Sequence, residues 1–221
     1  MVATAVISPT LLFDKRPVDC WLGLGWLRAV RVLAITIVVL MLSLGCTTRI
    51  RPPADPADPA AVFLLDHGRT PSLVISTEEG GMIRYAYGDW NWYALGRTNL
   101  LRGIAALFWP TQGTLGRAEL AGPVSIENVR QRVVVEIEHL YPLYVDRADV
   151  DHLRARLDQI YYENQATEVV NPAQGLHFVH HPRRYTYFWN SNHAVASWLG
   201  ELGCEIHGPA FDSRWEVEYH P

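Results

Sequence analysis

The stretch over residues 185–203 constrains the fold more than any other part of the chain. Aromatic, β-prone residues lead into a short polar group, and the polar group leads into a segment whose apolar residues recur at helical spacing. The apolar positions of that segment are Val195, Trp198, Leu199 and Leu202. Asn190 or Ser191 suits the N-cap of a helix, and Gly203 suits the left-handed residue that follows its last turn. The pattern predicts a strand followed by a buried, capped helix.

Ser191 lies where this helix begins, so unpaired backbone N–H groups point at whatever lies in front of it. Many nucleophiles and anion sites are built at such a position. Ordinary N-caps are built in the same way and are more common. From these residues alone, Ser191 is either a reactive hydroxyl or a plain helix cap.

The N-terminal segment predicts export from the cytoplasm. Arg28 and Arg31 precede an apolar run over residues 32–45, which ends at Cys46. A positive flank and an apolar core of this length are typical of a signal peptide. The cut would fall before a cysteine, and Ser43-Leu44-Gly45-Cys46 matches a lipobox imperfectly. We therefore interpret residues 1–46 as a signal peptide with lipid attachment at Cys46. An uncleaved membrane anchor is the alternative.

Either interpretation tethers the folded part to a membrane of the cell envelope, outside the cytoplasm. Residues 47–61 contain an Ala-Asp-Pro repeat and predict a stiff, extended tether of polyproline character. Residues 62–221 then form the globular domain, and their number suits a single domain with a core of its own.

Composition excludes several classes of protein. The formal net charge is −4 at pH 7, and no basic stripe with interleaved aromatic residues occurs, so we expect no nucleic-acid partner. Cys20, Cys46 and Cys204 form no pattern of metal ligands. The histidines of residues 177–181 match no standard zinc motif. We therefore expect neither a metal nor a cofactor.

Short apolar runs and turns alternate along the domain. They predict strands over residues 62–65, 72–76, 82–87, 132–139 and 215–219. Helices are predicted over residues 99–109 and 150–163, the second capped by Asp149, and residues 177–182 form a polar, histidine-rich loop. The sum is an α+β domain, with a small, mostly antiparallel sheet packed by helices.

Three pieces, in this order, carry a resemblance to a known family. They are Asp66-His67-Gly68 before an apolar strand, the segment over residues 85–93, and the helix that opens with Asn190-Ser191-Asn192 and ends in Leu-Gly. Over residues 62–212 the chain resembles bacterial envelope proteins of unknown function known as urease-region conserved hypothetical proteins. The resemblance implies a circularly permuted papain-like fold, related to the NlpC-type peptidase and lecithin–retinol acyltransferase folds.

The resemblance also implies site residues, and this sequence departs from the family at two of them. The family's first histidine falls on His67, but its second falls on Thr70, and its nucleophilic cysteine falls on Ser191. Its Gly-Asp pair is kept as Gly88 and Asp89. A thiol at a helix N-terminus can ionise, whereas a serine hydroxyl needs a base within hydrogen-bond reach.

Three functions stay open. The first is a membrane-tethered envelope protein whose papain-like cleft is non-catalytic or altered and binds a lipid, peptide or glycan. The second is a serine-dependent hydrolase or acyltransferase, and the third is a structural lipoprotein whose own aromatic side chains fill the cleft. The cleft residues are Tyr87, Trp92, Tyr93 and His193. The catalytic residues of the second function are Ser191 as nucleophile, His67 as base, and Asp89 or Asn192 in support.

Overall fold

The structure, a computed structural model, describes residues 29–37, 47–97 and 109–219. The chain divides into two compact units, Met1–Gly45 and Cys46–Pro221. In the first unit residues 29–37 are helical. None of the described helices has the length and apolar character that crossing a membrane requires. Cys46 and nearly all of the predicted helix over residues 99–109 lie outside the described residues, so both stay predictions.

The second unit is an α+β fold with two sheets. Its described strands are β1 (Thr48–Arg51), β2 (Pro59–Asp66), β3 (Pro71–Ser76), β4 (Met82–Asp89), β5 (Thr111–Leu120), β6 (His139–Asp146), β7 (Val169–Asn171), β8 (Leu176–Tyr185), β9 (Glu205–His207) and β10 (Trp215–Val217). Seven of them form an antiparallel sheet in the order β6-β2-β3-β4-β5-β8-β7. The main sheet is therefore antiparallel, as predicted, but it is large rather than small.

Three α-helices are described in this unit: α1 (Ile126–Arg132), α2 (Arg147–Glu163) and α3 (Ser191–Glu201). Asp146, rather than the predicted Asp149, caps α2. Asn190 caps α3, and Gly203 has a φ of +79° just beyond its end, as predicted for the left-handed closing residue. A π-helix, Trp90–Ala94, follows β4 directly, and a short 3₁₀-helix, Gln165–Thr167, follows α2.

Each face of the main sheet has its own core, because alternate strand residues point to opposite sides. On one face, residues such as Leu73, Tyr85 and Val179 pack against the apolar sides of α2 and α3. On the other face, residues such as Val74 and Met82 pack with α1 and the segment that follows it. The sheet thus lies between two covering layers.

The predicted tether over residues 47–61 is wrong at both ends. Residues 48–51 form β1, which lies in a second sheet between β10, parallel to it, and β9, antiparallel to it. Thr48 and Ile50 are fully buried there. Residues 59–61 belong to β2. A local pattern cannot predict β1, because the residue that pairs with Arg51 in β9 lies 154 positions further along the chain.

Two further predictions are corrected by the structure. Residues 132–139 are not a strand, since α1 ends at Arg132 and the following residues form no strand ladder until β6 begins at His139. The side chains of these residues alternate, so that Val133 is buried, but their backbone forms no β-ladder with another strand. Residues 177–182 are not a loop but part of β8, and Pro182 is tolerated because β7 no longer pairs with β8 at that point.

Candidate functional site

The start of α3 meets the end of β4 and the turn between β2 and β3. Asn190 accepts hydrogen bonds from the backbone N–H groups of Asn192, at 2.9 Å, and His193, at 3.1 Å, through its side-chain oxygen. Asn190 is therefore the cap, and Ser191 is the first residue of the helix. The Ser191 side chain is free to make other contacts, and only 2% of the residue is exposed.

The partner of Ser191 is the phenol of Tyr93. Burial raises the pKa of Tyr93, and side-chain hydrogen bonds with Thr70 and with Ser191 oppose that rise. The hydroxyls of Thr70 and Ser191 therefore both lie near the Tyr93 phenol. In the resemblance predicted from the sequence, a family histidine falls on Thr70 and the nucleophilic cysteine on Ser191. We call these three residues the hydroxyl cluster.

Gly88 and Asp89 position the Tyr93 ring. A Cβ atom at Gly88 would lie 2.1 Å from Cδ2 of Tyr93, so a side chain there would displace the ring. Asp89 accepts from the backbone N–H of Trp92 at 2.8 Å and from the hydroxyl of Thr111, and thereby caps the π-helix that carries Tyr93. Asp89 is thus a helix cap and does not orient a histidine.

The structure does not bring His67 to Ser191. The His67 ring lies 2.7 Å from the Glu136 carbonyl oxygen through Nδ1 and 2.9 Å from the Ser72 hydroxyl through Nε2. Ser72 alternates with Leu73 and therefore lies on the sheet face opposite α3. Burial and the neighbouring Arg84 charge lower the pKa of His67 to about 4. His67 is a neutral, engaged ring and not a base for Ser191.

Asn192 and His193 serve the loop that follows α3. The Asn192 amide donates to the Phe211 carbonyl at 3.4 Å and accepts from the Ser213 hydroxyl at 3.1 Å. The His193 ring lies 3.0 Å from the Asn190 side-chain oxygen through Nδ1 and packs edge-on against Phe211. Neither residue forms a hydrogen bond with Ser191 among the described contacts. Among the described histidines, none hydrogen-bonds Ser191.

A cavity of about 420 Å³ lies between the sheet, α2 and α3. Its lining residues are Tyr87, Arg156, His181, Arg183, Trp189, Ala194, Ser197, Trp198 and Glu201. Of the predicted cleft residues only Tyr87 lines it, while Trp92 is exposed beside the π-helix. The guanidinium of Arg183 stacks 3.2 Å from the centre of the Trp189 ring. Burial lowers the pKa of His181 to about 4, so this ring is neutral at pH 7.

The polar groups of the cavity wall are mostly engaged or buried. The indole N–H of Trp189 is out of reach of water and has no hydrogen-bond partner in the described part of the chain. Arg156 and Glu201 form a bidentate pair at 2.9 Å and neutralise each other. The sequence did not predict this wall, because His181 falls in the stretch interpreted as a loop and Arg183 directly follows it. The alternation of residues 179, 181, 183 and 185 was the signal that could have found it.

No cluster of three or more His, Cys, Asp or Glu side chains among the described residues could hold a metal ion. Cys204 is buried and has no disulfide partner, and burial raises the pKa of its thiol to about 12. Comparison with known proteins adds no relative: no family model, no curated protein and no solved structure matches the chain.

Proposed function

We propose that this chain is a membrane-tethered protein of the cell envelope, with a permuted papain-like domain that binds an envelope component and does not hydrolyse it. The observation that carries the proposal is the hydroxyl cluster. A papain-like reaction needs a thiolate or an activated hydroxyl beside a base. Ser191 faces a phenol and Thr70, and neither is a base at neutral pH, since burial raises the pKa of Tyr93.

The cavity beside α3 supports binding as the remaining role. Aromatic side chains form much of its wall, and Arg183 supplies positive charge and hydrogen-bond donors. Pockets of this kind combine apolar walls with a few polar groups that fix orientation. The lining fits a ligand that has an apolar or sugar-like face and a hydrogen-bond acceptor, which describes a glycan, a lipid headgroup or a peptide.

The serine-dependent hydrolase is the second function that the sequence leaves open. It requires an imidazole near Ser191, and the two ring nitrogens of His67 are taken by Glu136 and Ser72. No other observation favours it. The structural lipoprotein, the third function, requires a cleft filled by its own aromatic side chains. The Tyr93 ring does fill the place in front of Ser191, but the separate cavity beside α3 has room for a small ligand.

Binding can be tested with three soluble probes, one for each ligand class: a chito-oligosaccharide, a short-chain phosphatidylglycerol and an alanine tetrapeptide. We expect calorimetry on the full chain in detergent to detect one of them. Ser197→Trp places a large ring at the cavity wall and should abolish that binding. Ala155→Trp, on an exposed position of α2 outside the cavity, is the matched control and should keep it. Binding that Ser197→Trp leaves intact would overturn the proposed site.

A further inference from the structure

Three aromatic side chains near the start of α3 form an exposed group that the cavity does not use. Tyr187 stacks on Phe211 with ring centres 5.4 Å apart, and Phe188 meets both rings edge-on, at 5.3 Å and 6.3 Å. Their exposed fractions are 44% for Tyr187, 74% for Phe188 and 40% for Phe211. We call these three residues the aromatic patch. A contiguous exposed aromatic group on a globular domain marks an interaction surface.

The patch is held in place by the fold rather than carried on a loose loop. The Phe211 carbonyl accepts from the side-chain amide of Asn190 at 3.2 Å and from that of Asn192 at 3.4 Å. Residues 186 and 189 exchange backbone hydrogen bonds at 3.1 Å, which closes the turn that presents Tyr187 and Phe188. The two halves of the patch are therefore fixed to the same end of α3.

The loop that bears Phe211 also touches the beginning of the described domain. The backbone N–H of Ala210 donates to the Thr48 hydroxyl at 3.1 Å, and both residues are buried. A Cβ atom at Gly208 would lie 2.7 Å from the Thr47 carbonyl oxygen. Thr47, the first described residue after the predicted lipid-attachment residue Cys46, therefore lies next to this loop.

The charges around the patch favour a lipid surface. Arg183 is exposed and lies over the ring of Trp189, the residue next to Phe188, and Arg184, also exposed, donates to the Pro110 carbonyl at 3.4 Å. The carboxylate next to Phe211, that of Asp212, is paired with Arg214 at 3.3 Å. Aromatic side chains with neighbouring arginines are typical of the interface between water and bilayer, where anionic headgroups attract the cations.

We propose that the aromatic patch inserts into the bilayer surface to which the N-terminal segment tethers the domain. This inference rests on the proposed membrane attachment and adds to it a defined face of the domain. Insertion sets the orientation of α3 and of the adjoining cavity relative to the membrane. The occupant is an anionic lipid surface, which the arginines meet at the headgroups and the aromatic rings at the acyl boundary.

Site-specific fluorescence tests the patch. Phe188→Cys and Phe211→Cys each add an exposed thiol that can carry an environment-sensitive NBD label, and the unsubstituted chain gives the background. The matched control is Tyr162→Cys, since Tyr162 is 54% exposed near the far end of α2. The full chain is reconstituted in vesicles of phosphatidylcholine and phosphatidylglycerol, with and without a brominated lipid as quencher. We expect blue-shifted, strongly quenched emission at positions 188 and 211 and neither effect at 162.

The outcomes separate this inference from the proposal on which it rests. If the chain floats with the vesicles but positions 188 and 211 behave like 162, the patch does not insert, and the tether alone survives. If the chain does not float with the vesicles, membrane attachment and insertion fail together. Vesicles of phosphatidylcholine alone should reduce the quenching at 188 several-fold, and equal quenching in both would contradict the role given to the arginines.

Discussion

Each of two serines in this domain has one feature of a serine nucleophile and lacks another. Ser191 begins a buried helix and faces a phenol, with no described imidazole hydrogen-bonded to it. Ser72 has an imidazole nitrogen at 2.9 Å, yet it lies within a central strand and is 1% exposed. The difference shows that residue types alone do not make a reactive site. One serine has the position without the base, and the other has the base without access.

The same contrast holds for the surroundings of the two serines. Arg84, which is 2% exposed, donates to the Ser72 hydroxyl at 3.0 Å and to the Gln174 carbonyl at 2.9 Å, and its Nη2 lies 3.2 Å from Nε2 of His67. A buried guanidinium must have all its donors met, which makes this group structural. The hydroxyl cluster carries no charge, and we expect it to contribute less to stability.

The largest expected effect is at Arg84. Arg84→Ala removes a buried stem and takes the guanidinium donor away from the Ser72 oxygen and the Gln174 carbonyl, so the free energy of unfolding should fall by about 3–4 kcal/mol. Urea denaturation followed by circular dichroism measures the change. Arg184→Ala, at an exposed position, is the control and should stay within about 0.5 kcal/mol of the wild type. Similar values for the two variants would show that the Ser72 group is not structural.

The next effect is a dependence of stability on pH. The pKa of His67 is about 4 in the folded chain and about 6.5 when unfolded, so between these values the unfolded state binds the additional proton. Stability is complete above pH 6.5 and falls by about 3 kcal/mol as the pH drops to 4. In His67→Gln this part of the loss should disappear. Unfolding curves from pH 7 to pH 4 compare the two chains, and parallel profiles would contradict a buried, neutral His67.

The smallest effect compares the serines directly. Ser72→Ala takes the shared partner away from His67 and Arg84 and should cost about 2 kcal/mol. Ser191→Ala removes one hydroxyl from a cluster in which Thr70 still meets Tyr93, and it should cost at most about 1 kcal/mol. Unfolding in urea under identical conditions gives the ranking. A larger loss at Ser191 would reverse the assignment of the structural serine.

Much of the fold follows from local patterns, and the failures share a cause. The helix after Asn190 and its closing Gly203, the apolar side of α2, and the strands β2 to β4 are predicted by periodicity and caps. Strand β1 depends on partners near the C-terminus, and β6 contains Pro142, which an edge strand tolerates. Both need knowledge of which strands are neighbours, and a local window does not contain it.

The candidate site shows the same limit. The sequence correctly predicts that Ser191 begins a helix, and the resemblance places two residues of the family's site on Ser191 and Thr70. It does not predict that Tyr93 joins the two, because this depends on the π-helix that Asp89 caps and on the absence of a side chain at Gly88. Nor does it predict that His67 turns to the opposite face of the sheet, since the partner there is the backbone carbonyl of Glu136.

The central claim is that Ser191 is a hydroxyl without a base. Labelling of the full chain with a fluorophosphonate probe tests it most directly, since the probe reacts with serines that a neighbouring base activates. The account predicts that the probe labels the wild type no more than it labels Ser191→Ala. Labelling of the wild type that is lost in Ser191→Ala and kept in Ser72→Ala would contradict the account and would make this domain a serine-dependent enzyme.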